Sequence, residues 1–167
     1  NIQTNGKFSI ERGNHISHIN YFSTYESAIV SIQTLTKIKN GIKNNERIRI
    51  YCGTQEVMAR ILFFNEIIIK GGKSTGAILK FEKPITISID DYFIIRKYSP
   101  LVTVGGGIIL DLNIFKKWKD NKKYINQIYN AKNQYEKLSV IISNRGCNPF
   151  SYETLSIYLN ISIEKLE

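Results

Sequence analysis

Between Ile16 and Leu112, apolar and polar positions alternate in short runs that are cut by turn residues. SAIVSIQTL (27–35) places Ala28, Val30, Ile32 and Thr34 on one face and Ile29, Ser31, Gln33 and Leu35 on the other, the two-residue period of a strand. In ERIRIYCG (46–53), Arg47 and Arg49 alternate with Ile48 and Ile50, so both arginines fall on one side, the side facing away from a core. EVMARILFF (56–64), EIIIKGG (66–72), GAILKFEKP (76–84), DYFIIRK (91–97) and VTVGGGIIL (102–110) follow at a spacing of about ten residues. Asn44-Asn45, Gly53-Thr54 and Gly71-Gly72 are hairpin-like breaks. The pattern predicts a mainly β protein over residues 16–112: a closed or nearly closed antiparallel barrel, or a sandwich, with Ile48, Ile50, Ile94 and Val104 inside.

After Leu112 the period lengthens. Ile114, Trp118, Ile125, Ile128, Leu138, Ile141 and Ile142 recur at helical intervals, which predicts one or two helices closed by Gly146 as a C-cap. Ser151 then caps a helix carrying Leu155 and Tyr158 or Leu159, and Ser162 caps a further helix after a turn at Asn160, the rhythm of a helix-turn-helix. The chain stops a few residues later. The expected module is therefore incomplete, and Leu155, Leu159, Ile161 and Leu166 are expected to lack cover, leaving 147–167 the least protected part of the chain.

Composition narrows the function classes. The chain has 167 residues, 43% hydrophobic and 22% charged, as expected of a soluble globular protein with one full core, or one domain and a piece of another. Its net charge of +9 favours a polyanionic partner, nucleic acid before an acidic membrane surface. Cys52 and Cys147 are isolated and no signal peptide is present, which suits a reducing, cytoplasmic compartment. No apolar run approaches the roughly 20 residues that cross a bilayer, so no membrane is expected. His15 and His18 have no further ligands at a metal-site spacing, so no metal is expected.

Chemistry is sparse as well. Glu82, Asp90, Asp91 and Asp111 are separate carboxylates with no histidine or cysteine placed beside them, and Ser99 has no nucleophile elbow, so no catalytic residue is predicted. KGGKSTGA (70–77) contains the G-K-S of a phosphate-binding P-loop, but Ile67 stands where the first glycine belongs, and the following AILKFE reads as a strand rather than a helix. A hairpin turn is predicted there instead, with no bound nucleotide. The run KKWKDNKK (116–123) either clamps phosphates with Trp118 stacking on a base or is a solvated helix face with Trp118 turned inward. Gly105, Gly106 and Gly107, inside an apolar strand, call for a bulge, a coiled strand or the close approach of another backbone.

FIIRKYSPLVTVGGGIILDLN (93–113) resembles the segment that closes the third domain of selenocysteine-specific translation elongation factors, GTPase relatives of elongation factor Tu with an F-x-L-R, S-P, T-I-G-G-G-x-V-L-D-P signature. The agreement runs through Phe93, Ile95, Arg96, Ser99, Pro100, Thr103 to Gly107 and Ile109 to Asp111, with Leu112 in place of the usual proline. IYCGTQEVMARILFF is similar to the family's H-L-G-T-A-E-V-x-A-R-V run at Gly53, Thr54, Glu56, Val57, Ala59 and Arg60, with Tyr51 where histidine is common. AILKFEKPI is similar to A-Q-L-R-L-E-x-P at Ala77, Leu79, Glu82 and Pro84, and IERGN (10–14) resembles the junction between the second and third domains.

The resemblance implies an elongation factor Tu-like antiparallel β-barrel followed by helices of an incomplete winged-helix module. Residues 1–13 would be the end of the second domain and the junction, 14–112 the third-domain barrel, and 113–167 the helical linker and incomplete module. GTP and magnesium belong to the full-length family, a translational GTPase whose catalytic domain is not in this chain. The implied partners are selenocysteine tRNA, the ribosome and, through C-terminal modules beyond Glu167, a messenger-RNA selenocysteine-insertion hairpin. The implied tRNA-facing loops hold Thr54 and Gln55, and Lys97, Tyr98 and Ser99; strand alternation adds Arg47, Arg49 and Arg96. The competing reading is a helix-turn-helix nucleic-acid-binding or adaptor module with the barrel as scaffold.

Overall fold

The computed structural model describes residues 10–17, 22–112, 114, 118–145, 151–159 and 162–165. Eight strands come first: β1 (Thr24–Thr34), β2 (Ile42–Lys43), β3 (Arg47–Cys52), β4 (Gln55–Leu62), β5 (Ile68–Ile69), β6 (Ser74–Thr86), β7 (Tyr92–Lys97) and β8 (Thr103–Asp111). Six of them close a barrel in the order β1-β6-β4-β3-β7-β8, every neighbour antiparallel and β8 pairing back to β1. The expected barrel is present.

Register decides which side chains go inside. Ile48 faces Ala59 and Ile50 faces Val57 across β3 and β4, while Ile50 also faces Ile95 across β7, so these residues share the interior and are buried. Ile94 is the exception to the sequence expectation. It faces Tyr51 on the outside and is 51% exposed, because Phe93 and Ile95 take the inward positions of β7. Two adjacent isoleucines satisfy either register on paper; only the partner strand chooses. Val104 is buried as expected, at the irregularity between the Ile95 and Arg96 pairs.

The run 66–72 is not a barrel strand. Only Ile68–Ile69 pairs, with Ile42–Lys43, in a separate two-stranded sheet. A ribbon this small is marginal alone. It is held because Ile42 and Ile69 are fully buried in the common core, each contributing roughly 1.5–3 kcal/mol by its burial. The triple glycine has the close-approach origin: a Cβ on Gly107 would lie 2.0 Å from the Ser31 carbonyl oxygen of β1.

Three helices follow: α1 (Trp118–Asn130), α2 (Gln134–Arg145) and α3 (Tyr152–Leu159), then a 3-10 turn over Ile163–Lys165. On α1, Asn121, Tyr124, Ile125 and Ile128 form a buried stripe at i, i+3, i+4 and i+7. This stripe lies against β6 and β1, whose outward pair Ile29 and Ile78 is fully buried, and Gly76 makes room: a Cβ there would be 2.6 Å from Ile125 Cγ2. Tyr124 donates its phenol hydrogen to the buried carboxylate of Asp111 at the end of β8, so the helix is pinned to the strand that precedes it.

The break between α1 and α2 has a capping box. Asn133 Oδ1 accepts from Glu136 N at 2.9 Å, and Glu136 reaches back to accept from Lys132 N at 2.8 Å. The one or two helices expected here are therefore two, with Ile142 half exposed rather than buried. Leu155 and Leu159 of α3 are covered, at 9% and 8% exposure, against the expectation of an open apolar side. After Ser162 the described residues show one 3-10 turn where a helix was expected. Gly146, Cys147, Asn160, Ile161, Leu166 and the side chains of Trp118 and Tyr158 lie outside the described residues.

Candidate nucleic-acid interface

Antiparallel order puts the connections after β1, after β4 and after β7 at one end of the barrel. The β3–β4 turn and the β6–β7 turn lie at the other. The predicted contact residues divide between these ends. Lys97 pairs in register with Ile48 at the first end, whereas Thr54 lies six residues further along the β3 hairpin, roughly 20 Å away.

At the far end, Thr54 is exposed in its turn and Gln55 is engaged. The Gln55 amide donates to Thr86 O at 2.6 Å and accepts from Thr86 N at 3.2 Å, so it stands in for a strand pairing between the start of β4 and the end of β6. Its Nε2 also lies 3.1 Å from His15 Nε2. Gln55 is a clamp in this fold. It is half-buried and lines a surface pocket with Arg12, Glu82 and Lys83.

Arg47, Arg49 and Arg96 do share the outer face of β3 and β7, with Arg49 directly opposite Arg96. Two of these charges are matched by a carboxylate, whereas Arg96 has no ion-pair partner among the described residues, and the Nε atoms of Arg49 and Arg96 are buried without a hydrogen-bond partner. Arg47 grips Glu82 of β6 through Nε at 2.6 Å and Nη2 at 2.7 Å, a bidentate pair across the intervening β4. That hydrogen bond holds the Glu82 carboxyl below its ordinary range and raises the guanidinium. Arg49 binds Glu56, and Arg96 donates to Leu101 O at 3.3 Å. The guanidinium carbons of Arg47 and Arg49 lie 4.9 and 5.9 Å from the Tyr98 ring centre, and that of Arg96 lies 5.8 Å from the Tyr51 ring. Tyr98 is thereby strapped back onto the sheet. Beyond Tyr51 the same face turns apolar, a shallow groove with Tyr92 (75% exposed) and Ile94 beside Gly106.

The first end is different in kind. Lys37, Lys39, Lys43, Lys70 and Lys73 all occupy its connections, all are exposed, and among the described residues none has an ion-pair partner. Lys97 joins them while pairing with Glu46 at 3.2 Å; Ser99 is exposed in the adjoining loop, before a cis bond to Pro100. Glu46 and Glu66 are the acids of these connections. Sequence reasoning missed the five loop lysines. The available signal was that TKIKNGIKNN (36–45) and KGGK (70–73) sit in breaks separated by an even number of barrel strands, which antiparallel order stacks at one end.

The G-K-S segment belongs to this rim, and its geometry is that of a turn. The buried Thr34 hydroxyl lies 2.7 Å from Lys70 O and 3.0 Å from Lys73 O and accepts from Lys73 N at 3.1 Å. Strand β6 begins at Ser74, so no helix N-terminus faces the turn. A nucleoside triphosphate with magnesium does not fit here: the Lys73 amide that a phosphate cradle would use is already bonded to Thr34. The Cys52 thiol is buried beside Tyr92 O at 3.5 Å, and burial, with Asp91 adding to it, pushes it up to about 11, which leaves it an inert core thiol. His18 lies outside the described residues, and among those described no cluster of three metal-ligating side chains occurs. No described helix is long and apolar enough to cross a membrane.

Comparison with known proteins agrees with this architecture. The family model described as selenocysteine-specific elongation factor, beta-barrel domain, matches residues 27–116. A selenocysteine-specific elongation factor from Desulfomicrobium baculatum is 26% identical over 102 residues, covering 61% of this chain and 16% of that protein. The crystal structure of a bacterial selenocysteine-specific elongation factor, EF-Sec, superposes with a TM-score of 0.58 at 17% identity, over 85% of this chain and 21% of its own, and so shares the fold. The chain thus spans about a sixth to a fifth of the length of these two relatives.

Proposed function

The chain belongs to the β-barrel domain family of the selenocysteine-specific elongation factors, and from that footing we propose that it is the part of such a factor that grips selenocysteine tRNA by its phosphates while the tRNA is carried to the ribosome in the cytoplasm. The observation that carries this reading is a cluster of exposed lysines at one barrel end. Five lysines without an ion-pair partner among the described residues, together with Lys97, converge on one barrel end, with Tyr98 and Ser99 beside them. Lysine is a strongly hydrated point charge suited to phosphate, and an RNA stem is recognised through its backbone and 2′-hydroxyls rather than its base edges.

In this reading residues 14–112 are the gripping domain and residues 113–167 lead into a C-terminal winged-helix arm, which in the whole protein would reach the messenger-RNA hairpin. GTP and magnesium would be held elsewhere in the whole protein, and no step passes through the 72–74 turn. The latch between Tyr124 and Asp111 fixes how the arm leaves the barrel.

Filter binding of a selenocysteine-tRNA acceptor–T-stem hairpin tests the reading. For roughly three or four neutralised phosphates, affinity should fall about 40- to 150-fold between 50 and 200 mM salt. Binding indifferent to salt, or no binding at 50 mM, would refute it.

A further inference from the structure

We propose that the lysine-rich end of the barrel contains a pocket for one unpaired nucleotide, the base held between aliphatic walls and the phosphate on lysine. The pocket measures about 400 Å³ and lies between the connection after β1 and the β7–β8 connection. That volume is within the roughly 300–1,000 Å³ of small-molecule sites. Leu35 and Ile38 form one wall and Pro100 and Val102 the other, and Leu35 and Val102 are each 49% exposed.

The walls stand on bonded backbone rather than on free loops. Leu35 N donates to Val104 O at 2.9 Å, Lys97 N to Val102 O at 2.9 Å and Val102 N to Pro100 O at 2.8 Å. The slot is therefore shaped before anything enters it. Lys37, Lys39 and Asn40 line the pocket as well, two ammonium groups without ion-pair partners among the described residues and one amide that both donates and accepts.

Each feature matches one part of a phosphorylated nucleoside. Bases displaced from a stack are held between apolar or aromatic side chains, an amide can address the base edge, and the phosphate answers the lysines. An acidic amphipathic peptide shares the charge and the apolar side but has no use for an edge-reading amide. The source of the nucleotide rests on the RNA-binding reading above: a nucleotide turned out of the stack beside the gripped stem. A free mononucleotide has the same chemistry and serves as the probe.

Adenosine 5′-monophosphate titrated into the isotope-labelled chain should give saturable amide shifts confined to 35–40 and 101–104, with a Kd on the order of 1 mM. Inorganic phosphate alone should bind at least about tenfold more weakly, a difference of about 1.4 kcal/mol. Val102→Glu, which places a carboxylate in the slot at an exposed position, should abolish the shifts at unchanged thermal midpoint. Should that variant not fold, Lys37→Ala combined with Lys39→Ala should weaken binding at least about threefold. Shifts elsewhere, no saturation, equal binding of phosphate alone, or an acidic amphipathic peptide that binds the same residues more tightly than the nucleotide would overturn the pocket. Hairpin binding is measured on the same samples: hairpin affinity without nucleotide binding removes the pocket and leaves the RNA interface, and loss of both removes both.

Discussion

The lysine-rich end and the arginine-bearing face carry the same sign of formal charge and offer different things to a partner. On the face of β3 and β7, Arg47 is closed by Glu82, Arg49 by Glu56 and Arg96 by a carbonyl, and two tyrosine rings lie against the guanidinium groups. At the barrel end, five lysines extend from the connections and form no side-chain ion pair among the described residues, although Glu46 lies in the same connection and accepts from the Lys43 backbone N–H. A charge already paired within the fold brings little new field to a ligand, because its partner's field cancels it beyond a few ångströms, whereas unpaired charges add together in a surface potential. Arg60, Lys80, Lys83, Lys119, Lys122 and Lys123 are also exposed without an ion pair among the described residues, so the barrel end is distinguished by the clustering of its lysines rather than by being the sole source of free charge. Strand alternation finds positions on a face; it does not find their partners.

The widest test of that contrast replaces Lys37, Lys39, Lys43, Lys70 and Lys73 by glutamine together. Hairpin affinity at 50 mM salt should drop about 100-fold and the salt slope should flatten by at least about three phosphates' worth. The thermal midpoint should not fall, since these side chains make no ion pair in the described structure. Retained affinity would move the interface to the arginine face. The next test addresses the far end. Gln55→Ala removes the amide that bonds both Thr86 O and Thr86 N, so it should cost about 1–2 kcal/mol of stability in chemical denaturation while leaving hairpin affinity within about twofold. A large loss of RNA affinity at full stability would return Gln55 to the interface.

Most of the barrel is legible because burial and strand period coincide. In β1, β3 and β6 the inward positions are occupied by Ala28, Val30, Ile32, Ile48, Ile50, Ala77 and Leu79, and a one-residue slip would turn them out of the barrel interior. The misreadings occur where one periodicity serves two structures. FII in β7 fits either register, and EIII is as apolar as a barrel strand although Ile67 is 83% exposed and only Ile68–Ile69 pairs. The helical break was legible in N-x-x-E at 133–136, a capping box within a continuous helical period. The paired state of the arginines was not legible, since Arg47 and Glu82 are 35 residues apart and meet only across β4. The loop lysines needed topology: their common end follows from strand order, which no single segment encodes.

The smallest expected effect sharpens the contrast most, because it converts one region into the other. Glu82→Gln leaves Arg47 on the same face, with the same neighbours, but without its carboxylate. If pairing is what silences the face, hairpin affinity at low salt should rise by roughly threefold and the salt slope should steepen by about one phosphate. Acid titration supplies an independent reading. The Arg47 hydrogen bond lowers the folded-state pKa of Glu82 below its unfolded value, so the pair's contribution to stability is present above the ordinary glutamate range and is lost as pH falls through the lowered value. Between neutral pH and about 5 the pair should add nothing to the pH dependence. Below that, the wild-type chain should lose stability more steeply than Glu82→Gln, whose residue 82 cannot titrate. Parallel acid-stability curves with unchanged hairpin affinity would show that Glu82 does not restrain Arg47 in solution, and the arginine face would then have to be counted as available to RNA alongside the lysines.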